Sequence, residues 1–149
     1  MTQTSAAPLI GKRYLLQDQL GAGNMGTVHR AYDRLTGQMV ALKQIKQPTE
    51  QLSFGSRSSQ GDLQMTLAQE FKIMASLRHP NIISVLDYGF HARSDSAGRM
   101  PYITMELLEV ADSFLDVAER VPFDQQIELL LQMLQALVYL HRRAVLHRD

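Results

Sequence analysis

The stretch "QLGAGNMGTVHRAYDRLTGQMVALKQI", residues 19–45, constrains the fold more than any other part of the chain. Gly21, Gly23 and Gly26 form a G-x-G-x-x-G spacing. The residues after Gly26 alternate with a period of two, placing Val28, Arg30 and Tyr32 on one face and Thr27, His29 and Ala31 on the other. That alternation predicts a strand after the third glycine. It argues against a loop whose third glycine opens a helix that holds a pyrophosphate at its N-terminus. A Walker-type loop fits worse still, because no Gly-Lys-Ser/Thr follows the glycines. A hairpin remains. Its turn either covers a nucleotide with backbone N–H groups, where glycine permits close approach and positive φ, or is an ordinary glycine-rich turn. The triplet alone leaves both open.

The rest of the chain supplies an α+β context. "RYLLQDQL", "TVHRAYD" and "MVALKQI" read as three strands with short connections, an antiparallel meander. Residues 1–12 read as a flexible tail. "KQPTEQLSFGSRSSQGD" reads as a long mobile loop, and a helix is predicted over about 63–77, stopped by His79-Pro80. "IISVLDYGF" and "MPYITMELL" predict two further strands joined by the polar "HARSDSAGR". "SFLDVAER" predicts a short helix. The longest helical pattern runs from Pro122 to about Arg142, with Ile127, Leu130, Leu131, Leu134, Leu137, Val138 and Leu140 on a wide apolar face. A face so rich in leucine needs a partner. The expectation is five strands with one helix after the third, then mostly helix.

Composition narrows the function classes. With 149 residues, 45% hydrophobic and 20% charged, the chain suits a globular domain or part of one. A net charge of +0 gives no global attraction to nucleic acid or to a membrane surface. No cysteine is present, which excludes disulfides, thiolate chemistry and cysteine-bound zinc and agrees with a cytoplasmic setting. No apolar run nears the ~20 residues of a membrane-spanning helix, and the start lacks an apolar signal core.

Met39, Ala41 and Lys43 share a face of the third strand. Lys43 could be a solvated strand lysine. Glu70 suggests otherwise, because Leu67, Glu70, Met74 and Leu77 fall on one helical stripe. A glutamate in an apolar stripe is costly unless paired. Its own helix offers no cation at the right spacing, so Lys43 is the best-placed partner. A glutamate at the wet edge of the stripe is the alternative.

Taken together, "LGAGNMGTVHRA", "VALK", Glu70 in "LAQEFKIMASLRHPNI", "YITMELLE" and the terminal "LHRD" resemble the eukaryotic-type (Hanks-type) protein kinases, especially the bacterial serine/threonine kinases. These elements follow the family's order over residues 13–149. The resemblance implies an N-lobe and hinge at 13–108, a five-stranded sheet with one helix, and the start of a helical C-lobe at 109–149. It also implies ATP binding. Gly21, Gly23 and Gly26 would cover the phosphates, with Leu20, Ala22, Asn24 and Met25 completing the flap. Val28 and Ala41 would pack on the adenine, and Met105 would stand behind it as gatekeeper. The Glu106 carbonyl and the Leu108 N–H would bind the adenine edge, and Asp112 the ribose. Lys43 would hold the α- and β-phosphates, oriented by Glu70. His147 and Arg148 would be structural, while Asp149 would accept the proton of the substrate hydroxyl.

In the family the magnesium ligands follow the His-Arg-Asp motif, and "LHRD" ends this sequence. The resemblance therefore implies a longer polypeptide and protein substrates with Ser/Thr hydroxyls. It implies no metal ligand within these 149 residues and an isolated chain that does not turn over. Two rival classes are a non-catalytic pseudokinase scaffold and a small-molecule kinase. Intact Gly21, Gly23, Gly26, Lys43, Glu70 and Asp149 weigh against the first, and "LRHPNI" with "LHRD" against the second.

Overall fold

The computed structural model describes residues 8–24, 26–45, 68–69, 71–92 and 99–145. Met25, Glu70, His147, Arg148 and Asp149 lie outside them, as do most of the predicted tail and the long loop after the third strand. The chain divides into two compact units, Met1–Ser76 with Ser84–Leu107, and Leu77–Ile83 with Leu108–Asp149.

The first unit is an antiparallel sheet of six strands: β1 (Leu9–Ile10), β2 (Tyr14–Gly23), β3 (Gly26–Asp33), β4 (Met39–Ile45), β5 (Val85–Ala92) and β6 (Arg99–Glu106). Their spatial order is β1-β2-β3-β4-β6-β5. The five expected strands are all present, and β4 spans the predicted "MVALKQI". The sixth, β1, corrects the reading of residues 1–12 as tail. Leu9 pairs with Leu15 and Ile10 with Tyr14. Gly11 and Lys12 both take positive φ, and the Arg13 N–H donates to the Ile10 carbonyl at 3.1 Å. Two successive positive φ values match the right-handed twist of a tight hairpin. Only one side chain of the pair, Ile10, reaches the core, so the apolar signal was too short to read as a strand.

Alternation sends the two sheet faces to different cores. Tyr14, Leu16, Ala31, Val40, Leu42 and Tyr102 cluster with Ile10 on one face. Leu42 is fully buried, a burial contributing roughly 1.5–3 kcal/mol. On the other face Phe71 and Ile103 form a second cluster, joined by Ile45, Met74, Tyr88, Phe90 and Met105. Phe71 and Met74 belong to helical residues 71–76, here α1. The buried side of α1 thus includes Phe71, which lies outside the predicted stripe of Leu67, Glu70, Met74 and Leu77. α1 ends at Ser76, just before the predicted stop.

The second unit holds residues 77–83 and two helices, α2 (Phe114–Ala118) and α3 (Phe123–Arg142). Ser113 caps α2: its Oγ accepts from the Asp116 N–H at 3.1 Å and donates to the Asp116 carboxylate at 2.6 Å. Pro122, expected in the first turn, is instead the N-cap of α3, one position before the helix begins. Tyr139 gathers the segment before β5: its OH accepts from the Arg78 N–H at 2.9 Å, and its ring meets His79 at 5.1 Å. Ile127, Leu130, Leu131, Met133, Leu134 and Val138 remain 42–55% exposed, so the expected apolar face is present and open among the described residues. No described helix is long and apolar enough to cross a membrane.

Candidate functional site

The glycine triplet forms the tip of the β2–β3 hairpin. Gly23 pairs with Gly26, Ala22 with Thr27 and Gly21 with Val28, so β3 begins at the third glycine and no helix starts there. β2 carries register shifts on both sides of Gln19, between Leu16 and Gly21. Such bulges bend a strand and sharpen its twist, here just below the tip.

The three glycines have different physical reasons. Gly26 has φ of 143°, and a Cβ there would overlap the Gln44 carbonyl oxygen on β4. The fold itself demands glycine at that position. Gly21 and Gly23 have ordinary φ, and a Cβ at either would meet nothing within 4 Å among the described residues. Neither conformation nor packing requires them to be glycine, so they leave an open approach to the backbone on the surface of the tip. Leu20 is 43% exposed, and Ala22 and Asn24 are also exposed.

Below the tip, register aligns the other expected residues in two adjacent rows on one face. The first runs Gly21, Val28, Lys43, Ile103, Tyr88, and the second Arg30, Ala41, Met105, Val85. Val28, Ala41, Lys43 and Met105 therefore occupy neighbouring positions of one surface, with the glycine tip at its end. Ala41 is 6% exposed, while Val28, Lys43 and Met105 are half-buried. The small Ala41 between Arg30 and Met105 leaves room over the sheet next to the lysine. Among the described residues no carboxylate forms an ion pair with Lys43; the expected partner Glu70 lies outside them. Glu106 ends β6, its N–H donating to the Ser84 carbonyl at 3.0 Å.

The other expected residues belong to the second unit. Leu108 is 53% exposed. Asp112 lies just before α2, and its carboxylate accepts from Arg120 at 2.8 Å. Among the described residues no group of three His, Asp or Glu side chains could hold a metal.

The structure adds a polar cluster that the sequence reading missed. Arg13 donates from Nε and Nη2 to the two carboxylate oxygens of Asp33, both at 2.7 Å, and from Nη1 to Asp87 at 2.8 Å. Tyr14 OH donates to the same Asp87 oxygen at 2.8 Å. Asp33, 3% exposed, also accepts from the Leu35 N–H at 3.0 Å and the Thr36 hydroxyl at 2.7 Å. The forked hydrogen bonds from Arg13 hold the Asp33 carboxyl far below the ordinary carboxylate range, with help from Thr36 and Leu35 against burial. Burial pushes the Tyr14 and Tyr102 phenols up. A usable signal was present: Asp33 shares the core face with Ala31, so its carboxylate needed a partner by the argument applied to Glu70.

Comparison with known proteins agrees with this arrangement. The family described as protein kinase domain matches residues 14–149. The chain is 31% identical over 134 residues to a probable cyclin-dependent kinase 10 of Dictyostelium discoideum, covering 89% of this chain and 33% of that protein. It is 33% identical over 149 residues to the serine/threonine-protein kinase PksC of Streptomyces coelicolor, covering 95% and 25%. It is 32% identical over 145 residues to the serine/threonine-protein kinase PknB of Mycobacterium leprae, covering 95% and 22%. The chain thus spans a third or less of the length of these relatives. With a glycine-tipped hairpin beside a lysine-bearing strand in an antiparallel sheet, and a family match over all but its first residues, the chain belongs to the protein kinase family.

Proposed function

We propose that the surface formed by Val28, Ala41, Lys43 and Met105, with the Gly21–Gly26 hairpin tip at its end, binds ATP, and that the protein is a serine/threonine protein kinase. The observation that carries this is the pair Gly21 and Gly23, glycines for which the described protein has no internal use. Missing side chains there let backbone N–H groups approach phosphate oxygens, and Lys43, opposite Val28 in the same row, supplies a cation beside them. Val28, Ala41 and Met105 offer apolar surface of the kind that an adenine ring covers. The Glu106 carbonyl and Leu108 N–H are the proposed partners of the adenine edge, and Asp112 of the ribose.

In the reaction, the substrate hydroxyl oxygen bonds to the γ-phosphorus as the bond to the β,γ-bridging oxygen breaks. ADP leaves, and Asp149 takes the hydroxyl proton. Glu70 orients Lys43. Magnesium would neutralise the phosphates, and the family's metal-ligand motifs do not occur among these 149 residues, which are proposed to bind nucleotide without turnover. The informative measurement is accordingly binding. A fluorescent ATP analogue titrated into the wild type should saturate, and Lys43→Ala should weaken it by about tenfold or more, the loss of a charged hydrogen-bonding group. Equal affinity of the two proteins would reject the site.

A further inference from the structure

The cluster around Asp87 reaches the candidate site along a single strand pair. β5 breaks register between Val85 and Asp87, making Leu86 an extra residue that stands 53% exposed. Flanking it, Val85 pairs with Met105 and Asp87 with Thr104. A bulge interrupts the ladder locally. The relative position of β5 and β6 at this point therefore depends on other restraints. Two come from the backbone region: the Thr104 hydroxyl donates to the Asp87 carbonyl at 3.3 Å, and the Glu106 N–H donates to the Ser84 carbonyl at 3.0 Å. The Asp87 carboxylate fixes β5 from elsewhere, tying it to Arg13 and Tyr14 rather than to β6. One oxygen accepts from Arg13 and Tyr14, each at 2.8 Å, and the other from the Tyr88 N–H at 2.8 Å.

Arg13 is itself fixed by its fork onto buried Asp33 at the end of β3. Arg13 directly precedes β2 and Tyr14 opens it, whereas β5 is the far edge strand. The sheet must curl for these groups to meet, and the carboxylate that ties it belongs to the residue paired with Thr104, directly before Met105. We propose that Asp87, held by Arg13 and Tyr14, is a positioning residue for the end of β6: it sets where Met105 and Glu106 stand and so tunes affinity for the adenine ring. The inference rests on the ATP reading above.

Two readouts on the whole 149-residue chain test it. In ¹³C-methyl-methionine NMR, with the Met105 signal assigned through Met105→Leu, Asp87→Asn should move the Met105 methyl while Met133 on α3 stays in place. In parallel titrations, Asp87→Asn should weaken adenosine by about tenfold and leave tripolyphosphate within about twofold of wild type. A purely structural role would weaken both ligands alike. An unmoved Met105 methyl, or equal losses for both ligands, overturns the proposal. If the wild type binds neither ligand, the ATP reading fails, and the Met105 signal still decides whether Asp87 positions the end of β6. If Asp87→Asn does not fold, Tyr14→Phe, which removes one hydrogen bond to the same oxygen, must show the same pattern at smaller size; an unshifted Met105 methyl there also overturns it.

Discussion

Gly21 and Gly26 lie in the same triplet, yet substitution should separate them. Gly26→Ala brings a Cβ onto the Gln44 carbonyl at a positive φ, and should cost more than about 1 kcal/mol in urea unfolding. Gly21→Ala puts a methyl into open space, and unfolding should change by no more than about 0.5 kcal/mol. Its effect should appear in ATP-analogue affinity, because the methyl lies on the surface proposed to receive phosphate. A Gly21→Ala protein as unstable as Gly26→Ala would show that the first glycine is structural after all. The spacing in the sequence could not make this distinction. Which glycine is needed by the fold depends on what β4 places opposite it, and that is a long-range fact.

Elements were legible where one apolar face set the period. β4 and α3 match their predicted spans within a residue, because a short apolar run just after the Gly37 turn and a long leucine face leave few options. β1 was not legible, since two residues carry no period. The cap that follows α3 was also hidden from pattern reading. Ala144 takes φ of 57°, while the Val145 N–H reaches the Leu140 carbonyl and the Ala144 N–H the His141 carbonyl, both at 3.0 Å. These are the paired bonds of a left-handed helix cap, a position that favours glycine. Ala144→Gly should therefore stabilise the second unit by about 0.5–1 kcal/mol, seen as a higher melting temperature. A lower melting temperature would mean that the methyl of Ala144 makes contacts outweighing its strain.

At the scale of the whole molecule, the first unit is tied by charge as well as by its core. Asp33 titrates far lower when folded than when unfolded, so between those values the unfolded chain binds more protons. Its contribution is complete above the unfolded value near pH ~4 and is lost as the pH falls below it. Chemical denaturation from pH 7 to pH 2 should show stability dropping in that acid range, and Asp33→Asn should be less stable at neutral pH with a flatter acid limb. Parallel acid limbs would remove Asp33 from the account. Tyr14 and Tyr102 act at the other end: their raised phenols stay neutral in the fold while the unfolded chain ionises near pH ~10, so stability falls as pH rises through that range. By itself the sequence determined the meander, the strand after the third glycine and the shared face of Ala41 and Lys43, because alternation and turn chemistry act over a few neighbouring residues, and its motifs carried the resemblance to the family. Tertiary structure alone decided that Val28, Lys43 and Met105 lie in adjacent rows, and that Arg13 meets an aspartate 74 residues away. Register and sheet curl depend on what distant strands bury together, and no local pattern encodes that.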